Sequence, residues 1–156
     1  MYDDILIATN GGVASERAVE HAIDLAAERD ATLHALFVVD EDAYSAYSGD
    51  EYVDGHEGPE YGFQELGEDT LAEVKRRCAD AGVDFESHLV HGVPYETIVD
   101  VADDLSVDLV IAGSKRRPDA YRSLLGSVTE RVVRLIDRPV MVVKTPVDEE
   151  GEPLDA

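Results

Sequence analysis

The chain has 156 residues, 13 basic against 35 acidic, and a formal net charge of −22. With 44% hydrophobic and 31% charged residues it reads as one soluble globular domain, long enough for a sizeable core. No apolar run approaches the roughly 18 residues of a membrane span, and so negative a field argues against nucleic acid as a partner.

In chain order, the first apolar run predicts a strand over 5–8, of the kind buried on both faces of a parallel sheet, with no signal-peptide pattern before it. Thr9-Asn10-Gly11-Gly12 turns the chain into a helix reaching about residue 28, with Ala18, Val19, Ala22, Ile23 and Ala26 inward. Ser15, Gly11 and Gly12 are candidate caps for it. A second strand follows over 31–39. Residues 40–60 are acidic, rich in Gly and Tyr, and without a period, which predicts a long surface loop. A lid in which Tyr44, Tyr47 and Tyr52 stack over a bound base is the alternative reading of that loop.

A helix over about 63–81 turns Leu71, Val74 and Cys78 inward and stops at Gly82. The single cysteine excludes an internal disulfide, fits a reducing cytoplasm, and reads as a small apolar residue on a helix face. Next come a strand over 83–90, the turn His91-Gly92-Val93-Pro94, and a helix over 95–105 that buries Ile98, Val99, Ala102 and Leu105. A fourth strand over 107–112 ends at Gly113-Ser114, and a polar basic loop leads to Gly126-Ser127, which opens a helix to about 136. That helix is expected to bury Val128, Val132, Leu135 and Ile136. Val140, Met141, Val142 and Val143 begin a fifth strand with the look of a sheet edge, suited to pairing with the same strand of a second copy. The domain is taken as residues 1–145, with 146–156 a flexible acidic tail.

This alternation is that of an α/β domain: an open five-stranded parallel sheet with two helices on each face. In the order 3-2-1-4-5 the switch point falls between strands 1 and 4, so a ligand belongs where the Asn10 turn, the end of strand 2 and the Gly113 loop converge. Strand, glycine loop and helix N-terminus in succession also suit phosphate, because the free N–H groups of a first helical turn point at the anion. Charge agrees locally. Residues 115–144 hold eight basic residues (Lys115, Arg116, Arg117, Arg122, Arg131, Arg134, Arg138, Lys144) against three acidic ones, a net +5 that leaves −27 for the remainder. Ion pairing across the fold is the equal alternative for that island. The total charge suits a salt-rich cytoplasm, such as that of a halophilic archaeon.

From residue 5 to 144 the chain resembles the universal stress protein family. The resemblance rests on Ile-Ala-Thr-Asn-Gly-Gly, Leu-Phe-Val-Val-Asp, His-Gly-Val-Pro, Gly126-Ser127-Val-Thr-Glu and Arg-Pro-Val-Met-Val-Val-Lys, in that order and spacing. It implies a Rossmann-like, adenine nucleotide α hydrolase-like fold and a cytoplasmic homodimer joined through strand 5. It also implies a stress-response role with ATP or a related nucleotide, with Mg²⁺, as regulatory ligand, and at most slow hydrolysis. Nucleotide-binding positions carried over are Thr9, Asn10, Val38, Gly113, Ser114, Lys115, Arg116, Gly126, Ser127, Val128 and Thr129. Two depart from the family pattern. Asn10 stands where ATP-binding relatives have Asp, and Arg116 where the Gly-x2-Gly-x9-Gly-[Ser/Thr] motif has its second glycine. A positive φ at Arg116 would cost about 1–2 kcal/mol, while a guanidinium on phosphate would contribute about 1.5–3 kcal/mol. A dimeric interaction protein without nucleotide is the rival reading.

Other constellations are weaker. His88 and His91 are three apart on a strand and point to opposite faces, and His21, His34 and His56 fall on separate elements, so no metal site is expected. No Ser-His-Asp or Cys-His arrangement is apparent, and no catalytic residue is assigned.

Overall fold

A computed structural model of the chain describes residues 1–42, 59–116 and 126–154. Those residues form β1 (Asp4–Ala8), α1 (Val13–Arg29), β2 (Thr32–Asp40), α2 (Pro59–Ala81), β3 (Asp84–Gly92), α3 (Pro94–Leu105), β4 (Leu109–Arg116), α4 (Ser127–Leu135) and β5 (Val140–Pro146). The strands make one sheet of order β3-β2-β1-β4-β5, every neighbouring pair parallel, as the alternation predicts. Both the proposed tyrosine lid and Arg117 and Arg122 of the basic island lie outside the described residues.

The two-residue period of a strand sorts the core by parity. Odd-numbered strand residues, among them Ile5, Ile7, Leu33, Ala35, Phe37, Leu109 and Ile111, pack under α1 and α2 against Ala18, Ala22, Leu71, Val74 and Cys78. Even-numbered ones, including Leu6, Leu36 and Val110, pack under α3 and α4 against Ile98, Ala102 and Val132. Two helices therefore cover each face. The first three helices end alike. Asp30, Gly82 and Ser106 take left-handed conformations (φ 54°, 72° and 51°), and the next N–H returns five residues to Ala26, Cys78 and Ala102. This closure satisfies end carbonyls and turns the chain straight into the following strand.

Four local expectations are corrected. First, β4 does not end at Gly113. It runs on to Arg116 because β5 continues beside it, pairing Gly113 with Val143 and Arg116 with Pro146. Second, residues 146–154 are held rather than frayed. Val147 is fully buried, its N–H bonds the Arg116 carbonyl, and the Asp148 side chain accepts from the N–H groups of Glu150 and Glu152 to close a turn that bridges Val147 to Pro153.

Third, α4 buries Val132, but Val128 and Leu135 are 36% and 58% exposed. Only one stripe of a helix can meet its neighbours, and α4 turns that stripe to α3 and β4. Fourth, α2 begins at Pro59 rather than near residue 63, a proline being suited to a first helical turn.

Candidate functional site

A cleft of about 260 Å³ opens where β1 and β4 diverge, on the α3/α4 side of the carboxyl ends of the strands. This is the switch point of the sheet. Its apolar floor includes Leu36, Val38, Ile98 and Ala112, with Asn10 and Thr129 at its polar wall.

Strand pairing leaves backbone groups facing the cleft. The β1–β2 ladder ends at Ala8 opposite Leu36, and the last bond across it runs from the Thr9 N–H to the Leu36 carbonyl. In a parallel ladder the N–H and C=O of one residue share an edge, and alternate residues share the same edge. Val38 therefore aims its N–H and C=O at the β1 side, past the point where β1 stops. There they form a donor–acceptor pair at the cleft.

The turn after β1 is locked by its own side chains. Asn10 Oδ1 accepts from the Gly12 N–H and from the Ser15 hydroxyl, each at 2.8 Å. The Asn10 N–H donates to Ser15 Oγ at 3.1 Å, and the Gly11 N–H donates to Thr9 Oγ1 at 3.2 Å. All the roles of Asn10 Oδ1 here are acceptor roles. Ser15, weighed from sequence only as a cap, is 6% exposed and completes this turn, while Gly12 is the N-cap residue.

Across the cleft, α4 begins at Gly126 with no side-chain cap, and its first helical bond runs from the Glu130 N–H to the Gly126 carbonyl. The N–H groups of Ser127, Val128 and Thr129 thus have no partner within the helix and face outward at the cleft mouth. Thr129 Oγ1 donates to the Gly113 carbonyl at 3.2 Å, which ties the start of α4 to β4.

Of the residues singled out from sequence, Thr9, Asn10, Val38, Gly113, Val128 and Thr129 line the one cleft. Gly126 and Ser127 sit at its mouth as the exposed start of α4. Ser114 is buried within β4 and outside the cleft lining, and Lys115 and Arg116 are exposed at the end of the strand. Among the described residues, positive φ outside glycine occurs at Tyr2, Asp30 and Ser106, so Arg116 carries none of the strain a substituted glycine would imply. Asp40 and Pro94 also line the cleft without having been singled out. The signal for Asp40 was available: an acid at the end of the second strand of such a sheet stands where a ribose is held.

The basic island is partly spent on the fold. Arg134 pairs with Glu130, and Arg138 with Asp103 and the Val107 carbonyl. Arg131 lies 4.9 Å over the Tyr95 ring. Lys115, Arg116 and Lys144 pair with no described acid.

The histidines depart from expectation. His88 and His91 are indeed apart, His91 Nε2 meeting Gln64 Oε1 at 2.6 Å. His34 and His88, however, come within 3.3 Å because β2 and β3 pair in register. Burial and the facing His34 hold the His88 pKa below the usual histidine value, against the pull of Glu86.

The model of the family described as "Universal stress protein family" matches residues 1–144. A universal stress protein of Methanocaldococcus jannaschii is 36% identical over 149 residues, covering 96% of this chain and 86% of the relative. Among solved structures, a universal stress protein in complex with cAMP is similar at a TM-score of 0.62 and 24% identity, covering 92% of this chain and 97% of that one. One from Archaeoglobus fulgidus in complex with dAMP is similar at 0.65 and 20%, covering 92% and 98%. At these identities the two structural likenesses carry the fold.

Proposed function

The chain belongs to the universal stress protein family, and from that membership and the cleft we propose that it binds an adenine nucleotide, ATP or a relative, as a regulatory ligand. The observation that carries the reading is the open edge of β2 at Val38. Adenine presents an amino donor beside a ring-nitrogen acceptor, and the Val38 C=O and N–H offer the complementary pair. The family neighbours bound to cAMP and dAMP agree with an adenine ligand.

The cleft is at the small end of ligand sites, which run from roughly 300 Å³ upward, so it suits a base and part of its sugar. Asp40 stands at the sugar. A phosphate chain would leave the mouth toward the free N–H groups of α4, near the cations of Lys115 and Arg116. Asn10 would meet the ligand through its amide NH₂, since its oxygen is held within the turn. Mg²⁺ would sit on the phosphates. No group in the cleft is assigned to chemistry, and the ligand acts by being bound.

We also propose a homodimer through the edge strand β5, where Met141 is exposed, with Val133 and Leu135 of α4 as further exposed apolar residues.

Calorimetry with MgATP and MgGTP in concentrated KCl tests the nucleotide reading. ATP is expected to bind at least tenfold more tightly, because guanine reverses the donor–acceptor order facing Val38. Equal affinities, or no binding to either, would overturn the reading and leave a dimer that works through its surface.

A further inference from the structure

At the amino ends of the strands, away from the nucleotide cleft, three side chains converge that no sequence spacing links. His34 on β2 lies directly opposite Glu86 on β3, and His88 lies two residues further on. All three are even-numbered and so share the α3/α4 face. His34 is separated from Val38 by four residues, roughly 13 Å along the strand.

The spacing of the three groups suits ligands of one ion. His34 Nδ1 stands 3.1 Å from Glu86 Oε2 and 3.3 Å from His88 Nε2, and the three atoms lie within 4.8 Å of one another. Donors bound tetrahedrally at about 2.0–2.1 Å are about 3.3 Å apart. On its other side His34 Nε2 meets Asp4 Oδ1 at 3.0 Å. A carboxylate there accepts the Nε2 proton and leaves the Nδ1 lone pair directed at Glu86 and His88. A carboxylate oxygen and two imidazole nitrogens then lie close together, and one shared metal cation would satisfy all three.

We propose that His34, Glu86 and His88 bind a divalent transition-metal ion of the zinc type, with Asp4 as the carboxylate that orients His34. Two imidazoles and one carboxylate select zinc, cobalt, nickel or copper over magnesium or calcium. The His34 side chain is 6% exposed and that of Glu86 60%, so the ion enters from the Glu86 side with a position left for water. The ion competes with protons for the same lone pairs. The ion would brace β2 against the edge strand β3 and couple metal supply to the stability of the strand that carries Val38.

Tag-free protein is titrated with ZnCl2 in concentrated KCl, which suppresses loose cation binding to the acidic surface, and with CoCl2 as a spectroscopic probe. One saturable equivalent is expected, with Co²⁺ showing the intense visible bands of tetrahedral coordination. His88→Gln and Glu86→Gln should each weaken it at least tenfold. Asp4→Asn, which touches no metal, should weaken it about 10–100-fold, as loss of such an outer partner does elsewhere. His21→Gln, on the exposed side of α1, should leave it unchanged. The three site variants alter exposed or half-buried groups, and circular dichroism of each verifies the fold. Absence of a saturable equivalent would mean that the cluster is held by its own hydrogen bonds alone. Affinity indifferent to His88→Gln and Glu86→Gln would place the ion elsewhere. Either result overturns the proposal.

Discussion

Gly113 lacks a side chain because the backbone of α1 occupies the space: a Cβ built there would lie 1.9 Å from the Ala14 carbonyl oxygen. Its place in a phosphate-loop motif is thus also a packing requirement that holds the start of α1 against β4. Gly113→Ala is expected to destabilise the fold by about 3 kcal/mol, at the upper end of overpacking costs. Denaturant unfolding measures it, and a loss below about 1 kcal/mol would refute the close approach.

Arg116 is the opposite case. It stands at the second glycine of the motif yet lies in extended strand, so no conformational penalty would oppose its reaching the proposed phosphate. Cys78 is fully buried, and that burial, against the pull of Arg77, pushes its thiol up to about 11 from 9.0. The folded form therefore prefers the neutral thiol. Its contribution to stability is complete below about pH 9 and is lost as pH rises from there toward about 11. A Cys78→Ala variant should show a shallower alkaline loss of stability over that window, and an identical profile would contradict the assignment.

At the scale of elements, the apolar runs were legible, because a parallel sheet buried on both faces needs continuous hydrophobic strands. Helix positions followed from their period. Where the reading failed, a partner distant in sequence decided. β4 continues through Gly113 because β5 supplies its hydrogen bonds, and Val147 is buried because β4 continues. His34 and His88, 54 residues apart, meet through a register that no local pattern states.

Topology alone pointed to the place where the cleft opens. The donor–acceptor pair of Val38 within it depends on where β1 stops. Val133 and Leu135 on α4 and Met141 on the edge strand are exposed apolar side chains, and the proposed dimer would cover them. A double substitution, Val133→Glu with Met141→Glu, is expected to halve the mass seen by light scattering while leaving the circular dichroism spectrum unchanged. A mass unaffected by it would rule this face out as the dimer surface.

For the whole molecule, the charge of −22 opposes compaction, and the ion pairs at Arg76, Arg134 and Arg138 engage only part of the acidic surface. Raising KCl from about 0.1 to 1 M shortens the screening length from roughly 10 to 3 Å. The melting temperature should climb steeply over that range, and a flat or falling response would contradict self-repulsion as a dominant cost.

The same arrangement of strands fixes both this fold and its cleft. β2 must run beyond β1 for Val38 to have an open edge, and that single offset underlies the proposed nucleotide site. Amide spectra of ¹⁵N-labelled protein titrated with MgADP read that edge directly. The account predicts a saturable downfield shift of the Val38 N–H, with smaller changes at Ser127, Val128 and Thr129 at the start of α4. Saturable binding that leaves the Val38 amide unmoved would contradict it.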